Sequence, residues 1–365
     1  MKVVTSTECE GSVRPYLVWQ TVEAESPCFS YGEYVNHNCI QIFSHGRVIN
    51  LKDYGIPNDS LDQRMEVFLQ LMTPDPKTKY MDGEVYQLMR PYVKSKNMST
   101  RDKLWLGILY SMSYSCSTAI RFFEEFPEIT DWEKVEEYWN EEKSTLHFNP
   151  DRKYLKNNNQ VVNVLKHIYQ LSNGGEMDKY FIPFLNQGFD AAYTEIIKNW
   201  YGYGPMGAYL FFDTVYGFSP ELYSDPAHLD WKGSGQTVVE GMANLLGDDE
   251  AIDTKQYDIP KFNETVEYLV KALKCPKIVI ESNLCFFRKL FKASRYLGYY
   301  ADRELEEYRM VDKILLKYGV DIWKLREQTC QDELRGEVHG WSGIQKFMMH
   351  DYLKTGKLRC SLETQ

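Results

Sequence analysis

The chain has 365 residues, with 42 Lys and Arg against 52 Asp and Glu and a formal net charge of −10. Apolar residues at 43 % and charged residues at 26 % are ordinary for a folded protein and argue against long disorder; the length allows one large domain or two lobes. The acidic balance counts against non-specific nucleic-acid binding, which rests on Lys and Arg, but leaves room for a local anion-binding patch.

Up to about residue 80, β-branched and aromatic runs (Val13 to Val22, Cys39 to Phe43, Arg47 to Leu51) alternate with turn residues, and a helix-like Leu61 to Met72 follows. This predicts a mixed strand and loop region over 1–80. Cys28, His37, Cys39 and His45 fall in it, but their spacing matches no common zinc site, so no metal is expected. Met1 to Glu10 is polar and lacks the apolar segment of a secretory leader. No apolar run is long enough for a membrane span. The eight cysteines are scattered without a Cys-x-x-Cys pair, which fits free thiols in a reducing cytoplasm.

From residue 81 to 365 the pattern predicts one helical domain, so the fold class is mainly α with a small strand- or loop-rich N-terminal region. Ser99-Thr100-Arg101-Asp102 reads as a capping box before a helix from Lys103 to about Tyr114. Further helices are predicted over Ser117 to Phe126, from Asp131-Trp132 through an acidic stretch, over Gln160 to Leu171 and over Ala191 to Trp200. Gly202-Tyr203-Gly204-Pro205-Met206-Gly207 fits the dinucleotide fingerprint literally. It follows a helix rather than a strand, however, and carries a proline, so a turn between helices is expected. No metalloprotease, P-loop or nucleophile-elbow signature is present, which disfavours the hydrolases and kinases that use them.

Three segments could bind anions or flat rings. Gly233-Ser234-Gly235-Gln236-Thr237 opens a helix over Val238 to Leu246, where free N–H groups would seat a phosphate or carboxylate with Glu240 one turn behind. Arg152 to Gln160 is a basic, amide-rich opening. Glu281 to Arg303 concentrates positive charge: Leu284, Phe287 and Phe291 form an apolar face, and Arg288, Lys292, Arg295 and Tyr299 form a second stripe. Each also reads as ordinary structure: a plain N-cap, a solvated loop, a surface helix facing acidic neighbours. Tyr110 and Tyr114 are a core pair or a base-stacking pair.

Leu104 to Thr118, Gly233 to Gly241, Glu281 to Arg303, and Trp323 to Glu327 with Arg335-Gly336-Glu337 together resemble the bacteriophage amino acid:DNA transferases, also described as α-glutamyl/putrescinyl-thymine pyrophosphorylases. The resemblance covers roughly residues 85 to 345, and Glu281 to Arg303 is its most specific part. Gln236 departs from it by standing where a basic residue is expected.

The resemblance implies a catalytic helical domain that modifies DNA after replication in the cytoplasm of an infected bacterial host. An amino acid or polyamine would displace (pyro)phosphate from the 5-methylene of phosphorylated 5-hydroxymethyluracil in DNA. A separate DNA base kinase would supply that ester, and no cofactor, metal or membrane is implied.

The residues above supply roles for this chemistry. Tyr110, Tyr114, Tyr296 and Tyr299 would receive a flipped base. Arg288, Lys289, Lys292 and Arg295, with Arg152, Ser234 and Gly235, would hold phosphate or DNA. Arg303, or Arg152, would fork onto an amino-acid carboxylate, and Glu281, Asp302 or Glu240 would take the ammonium's proton. A non-catalytic helical DNA-binding protein of a modification system and a helical glycosylase-like base-excising enzyme remain alternatives.

Overall fold

The computed structural model describes residues 89–291 and 310–321, together with Met65, Phe68, Leu69 and short strand segments toward the two ends of the chain. The region expected at 1–80, and the boundary after it, lie largely outside the described residues. The body is mainly α, as predicted.

Local chemistry sets the helix limits. Helix α1 is Arg90–Ser95 and α2 is Thr100–Ser113. In α2 the Ser99 hydroxyl accepts from the Asp102 N–H while Asp102 accepts from the Ser99 N–H, the predicted capping box. Helix α3 (Cys116–Glu125) stops before Pro127, and α4 (Trp132–Glu142) starts from an Asp131 cap. Helices α5 (Lys153–Asn157) and α6 (Val161–Leu171) follow. Helix α7 (Met177–Leu185) has no counterpart among the predicted helices; it contains Pro183, whose missing N–H ordinarily ends a helix. Helices α8 (Phe189–Asn199) and α9 (Pro205–Phe218) flank the turn in which Gly202 takes φ +76° and Pro205 starts α9. The Gly202–Gly207 string is therefore a helix–helix turn. Helices α10 (Gln236–Leu246), α11 (Asp249–Thr254), α12 (Ile259–Leu273), α13 (Lys277–Phe291) and α14 (Asp312–Lys317) complete the body.

Helices α2 and α9 are buried along most of their length and pack on each other at the centre of the core. Apolar residues on all sides are what a central helix requires. Gly107 permits this contact, since a Cβ there would lie 2.5 Å from Thr214 Oγ1. Helices α10 and α13 pack along each other, and here Gly241 is indispensable: its Cβ would fall 2.1 Å from the Leu284 carbonyl oxygen. No helix among the described residues is long and apolar enough to cross a membrane.

Helix α14 is tied to the body by a polar knot. Glu124 accepts from Tyr92 Oη at 2.5 Å, from Tyr318 Oη at 3.1 Å and from Lys96 Nζ. Burial pushes the Glu124 carboxyl up, but hydrogen bonds from Lys96 and Tyr92 outweigh it and hold it below the ordinary value. Its contribution to stability is thus present above the ordinary carboxyl pKa and lost as pH falls through the lower folded value. Glu124→Gln should weaken the loss of stability on acidification below about pH 4.5, measured by urea unfolding at stepped pH. Gly241→Ala should lower unfolding free energy by about 1–3 kcal/mol, by the same method, because backbone must move.

Candidate functional site

A cleft of about 260 Å³ opens where α9, the start of α10 and α13 converge. It is smaller than the roughly 300 Å³ at which sites for drug-sized ligands begin, and suits one ring or a small amine. Helix α9 contributes Met206, Tyr209, Leu210 and Asp213, one face at steps of three and four. Helix α13 contributes Glu281, Ser282 and Cys285, and Tyr114 and Asp151 also line the rim. Tyr114 reaches the rim because it ends α2 in the left-handed region, at φ 50°.

The Gly233-Ser234-Gly235 turn also lines the cleft, and Asp230 shapes it. Asp230 Oδ1 accepts from the Gly233 N–H at 2.8 Å, and its carbonyl accepts from the Ser234 N–H at 2.7 Å. Tyr193 donates to Asp230 Oδ2 at 2.8 Å, and the Asp230 N–H donates to Tyr209 Oη at 2.9 Å. Two N–H groups expected to seat an anion are therefore already used. Those of Gly235, Gln236 and Thr237, at the start of α10, have no acceptor among the described residues. Burial pushes the Tyr209 hydroxyl well above its ordinary pKa, and the charge of Glu281 adds to the shift, so Tyr209 is a neutral phenol in the cleft wall.

Asp213 is 6 % exposed, and Ser282 Oγ approaches its Oδ2 at 3.5 Å. With Glu281 and Asp151 it makes three carboxylates around the cleft, and no Lys or Arg is among the lining residues described. No cluster of metal-ligand type occurs among the described residues.

The structure brings Glu281, Ser234, Gly235 and Tyr114 together in this cleft and separates others from it. Glu240 is 1 % exposed and not an available base. Its Oε1 accepts from Gln236 Nε2 at 2.5 Å and Lys255 Nζ at 2.9 Å, and its Oε2 accepts from Arg288 Nε at 2.5 Å. Arg288, expected to hold phosphate, is consumed by the same pair. Tyr110 is 1 % exposed, so it is a core residue and not a base-stacking one. It packs edge-on to Tyr114, with ring centroids 5.8 Å apart. Arg152, expected to meet phosphate or carboxylate, is 2 % exposed. It donates to Met112 O at 3.3 Å, Tyr154 Oη at 2.9 Å and Gly202 O at 3.5 Å.

Lys289 is described only in its backbone, and Lys292, Arg295, Tyr296, Tyr299, Asp302 and Arg303 lie outside the described residues, as do Cys28, His37, Cys39 and His45. Sequence reasoning missed Asp151, Tyr209 and Cys285 as cleft residues, and reaches Asp213 only as a poor likeness of the aspartate that follows a glycosylase's Gly-x-Gly turn. For Asp213 a signal existed: it is the one charged residue in Pro205–Phe218.

Comparison with protein-family models, with curated proteins and with solved structures gave no match. Glu240→Ala should cost about 3–5 kcal/mol in chemical unfolding, because it strands the Arg288 charge against the core. Lys255→Ala, which removes a half-exposed partner, should cost about 1 kcal/mol or less.

Proposed function

We propose that this chain is a DNA base-modifying transferase of the kind its sequence resembles, and that the acidic cleft holds its amine nucleophile. The composition of the cleft carries the reading: three carboxylates and two tyrosines around a small volume favour an ammonium over a phosphate. Glu281 and Asp213 bind the ammonium, and one of them takes a proton from it, since only the free amine has a lone pair. The amine nitrogen then bonds to the 5-methylene of the activated uracil. The carbon–oxygen bond breaks, and (pyro)phosphate leaves with the electron pair. The second proton on nitrogen passes to solvent. The leaving group falls to the N–H groups of Gly235 to Thr237, which have no acceptor among the described residues.

A second reading is favoured by one observation. Asp213 faces the cleft from the helix that follows the Gly202–Gly204 turn, an arrangement that would also serve base excision with water as nucleophile.

One experiment tests both. DNA containing 5-phosphomethyluracil is incubated with the protein and a mixture of amino acids and diamines, then digested to nucleosides for mass spectrometry. A thymidine derivative heavier by one amine, with phosphate lost, is expected. Glu281→Gln should reduce its rate about 100-fold or more, the usual worth of a positioned base. Abasic sites would favour the second reading, and unchanged DNA with every amine would defeat both.

A further inference from the structure

We propose that Tyr154 and Tyr201, with the lysines beside them, form a stacking platform for an unpaired nucleic-acid strand next to the cleft. Among the described residues Tyr154, Tyr201 and Tyr268 are close to half exposed, at 47 %, 48 % and 51 %, and the first two lie on adjoining segments. Their rings are nevertheless held in place. Tyr154 Oη donates to Gly202 O at 3.3 Å and accepts from Arg152 Nη1 at 2.9 Å. Tyr201 Oη donates to Gln160 Oε1 at 2.7 Å, and His167 packs edge-on to its ring. Each hydroxyl is tethered at the tip while much of the ring stays in solvent, so little rotational freedom remains to be lost when a base stacks on it.

Charge around the two rings points to the same occupant. Residues 152–160 and 197–204, which meet through the Tyr154–Gly202 hydrogen bond, contain Arg152, Lys153, Lys156 and Lys198 and no carboxylate, in a chain of net charge −10. Lys153, Lys198 and Asn157 to Asn159 are exposed. Arg152 is buried and donates to Met112 O, Tyr154 Oη and Gly202 O rather than to a described carboxylate, and its guanidinium lies 5.5 Å from the Tyr154 ring centroid. Lys156 donates to Leu146 O at 2.7 Å, and burial, with the charge of Lys153 adding to it, pushes its ammonium down, so the exposed cations of these two segments are Lys153 and Lys198. Glu195 borders this surface, with its oxygens held by Tyr180 and by Asn199. Anchored rings interleaved with free cations bind single strands: rings take bases, ammonium groups take phosphates. A duplex, whose bases are already stacked, cannot use the rings.

The platform adjoins the cleft through Asp151, next to Arg152, and Met206, just beyond the Gly202 turn. It deepens the proposed function, because a base drawn into the cleft leaves its neighbours unpaired on this surface. Strand binding needs no turnover, however, and can be measured alone. Fluorescence anisotropy of a labelled oligothymidine is the assay. Tyr154→Ala and Tyr201→Ala should each weaken binding about 5- to 100-fold, while Tyr201→Phe, which keeps the ring, stays within about threefold of the parent. Lys153→Ala and Lys198→Ala should each reduce the slope of log affinity against log salt by about 0.7. Parent-like binding by both tyrosine variants overturns the platform. Equal loss of polyphosphate binding overturns it too, since polyphosphate has no bases to stack. Oligothymidine binding through these rings without any amine adduct would defeat the transferase reading alone.

Discussion

The Glu240–Arg288 ion pair is the constraint on which the site depends. Glu240 lies on α10 and Arg288 on α13, helices that pack extensively on each other, and Gly241 lets their backbones come close enough for the pair to form. Burying a carboxylate and a guanidinium is costly unless both are well hydrogen-bonded, and Gln236 and Lys255 also donate to the carboxylate. The result is register as much as stability. With Arg288 held beneath α10, Glu281, two turns earlier on α13, is carried to the edge of the cleft beside the first residues of α10.

The cleft follows from that register and from the buried α9. An aspartate on an apolar helix is tolerable only where it meets polar partners or a wet cavity, and Asp213 has Ser282 beside it and the cleft before it. Asp230 does related work below: by satisfying Gly233, Ser234, Tyr193 and Tyr209 together it fixes the turn that exposes the α10 N-terminus. Carboxylates from α9, α13 and Asp151 share the cavity with N–H groups at the start of α10 that have no acceptor among the described residues, the two polarities on which the proposed reaction draws.

Much of the helical framework was legible because its signals are local. The Ser99–Asp102 box, the Asp131 cap, Pro127 and Gly247 all bound helices where the sequence places them. The α7 helix was not, since packing of Phe181 and Met177 in the core overrides the proline within it. Partnership was the least legible property. Helical spacing marked Arg288 and Glu240 as charged and near a site, yet nothing local says that they neutralise each other across 48 positions of sequence. Arg152 looked like a surface cation for the same reason, and its burial under Tyr154 and Tyr203 is a tertiary fact. Glu281, Ser234, Gly235 and Tyr114 were chosen for separate reasons and converge on one cavity, which no single segment of sequence could reveal.

The central claim is that the cleft is an ammonium site built on Glu281 and Asp213. Calorimetric titration with a small primary amine and with its N-acetylated form, which has the same shape but no charge, addresses it without DNA or turnover. The account predicts one amine bound per chain, loss of binding in Glu281→Gln, and no heat from the acetylated compound. Equal binding of the charged and neutral forms, or amine binding unchanged by Glu281→Gln, would contradict it.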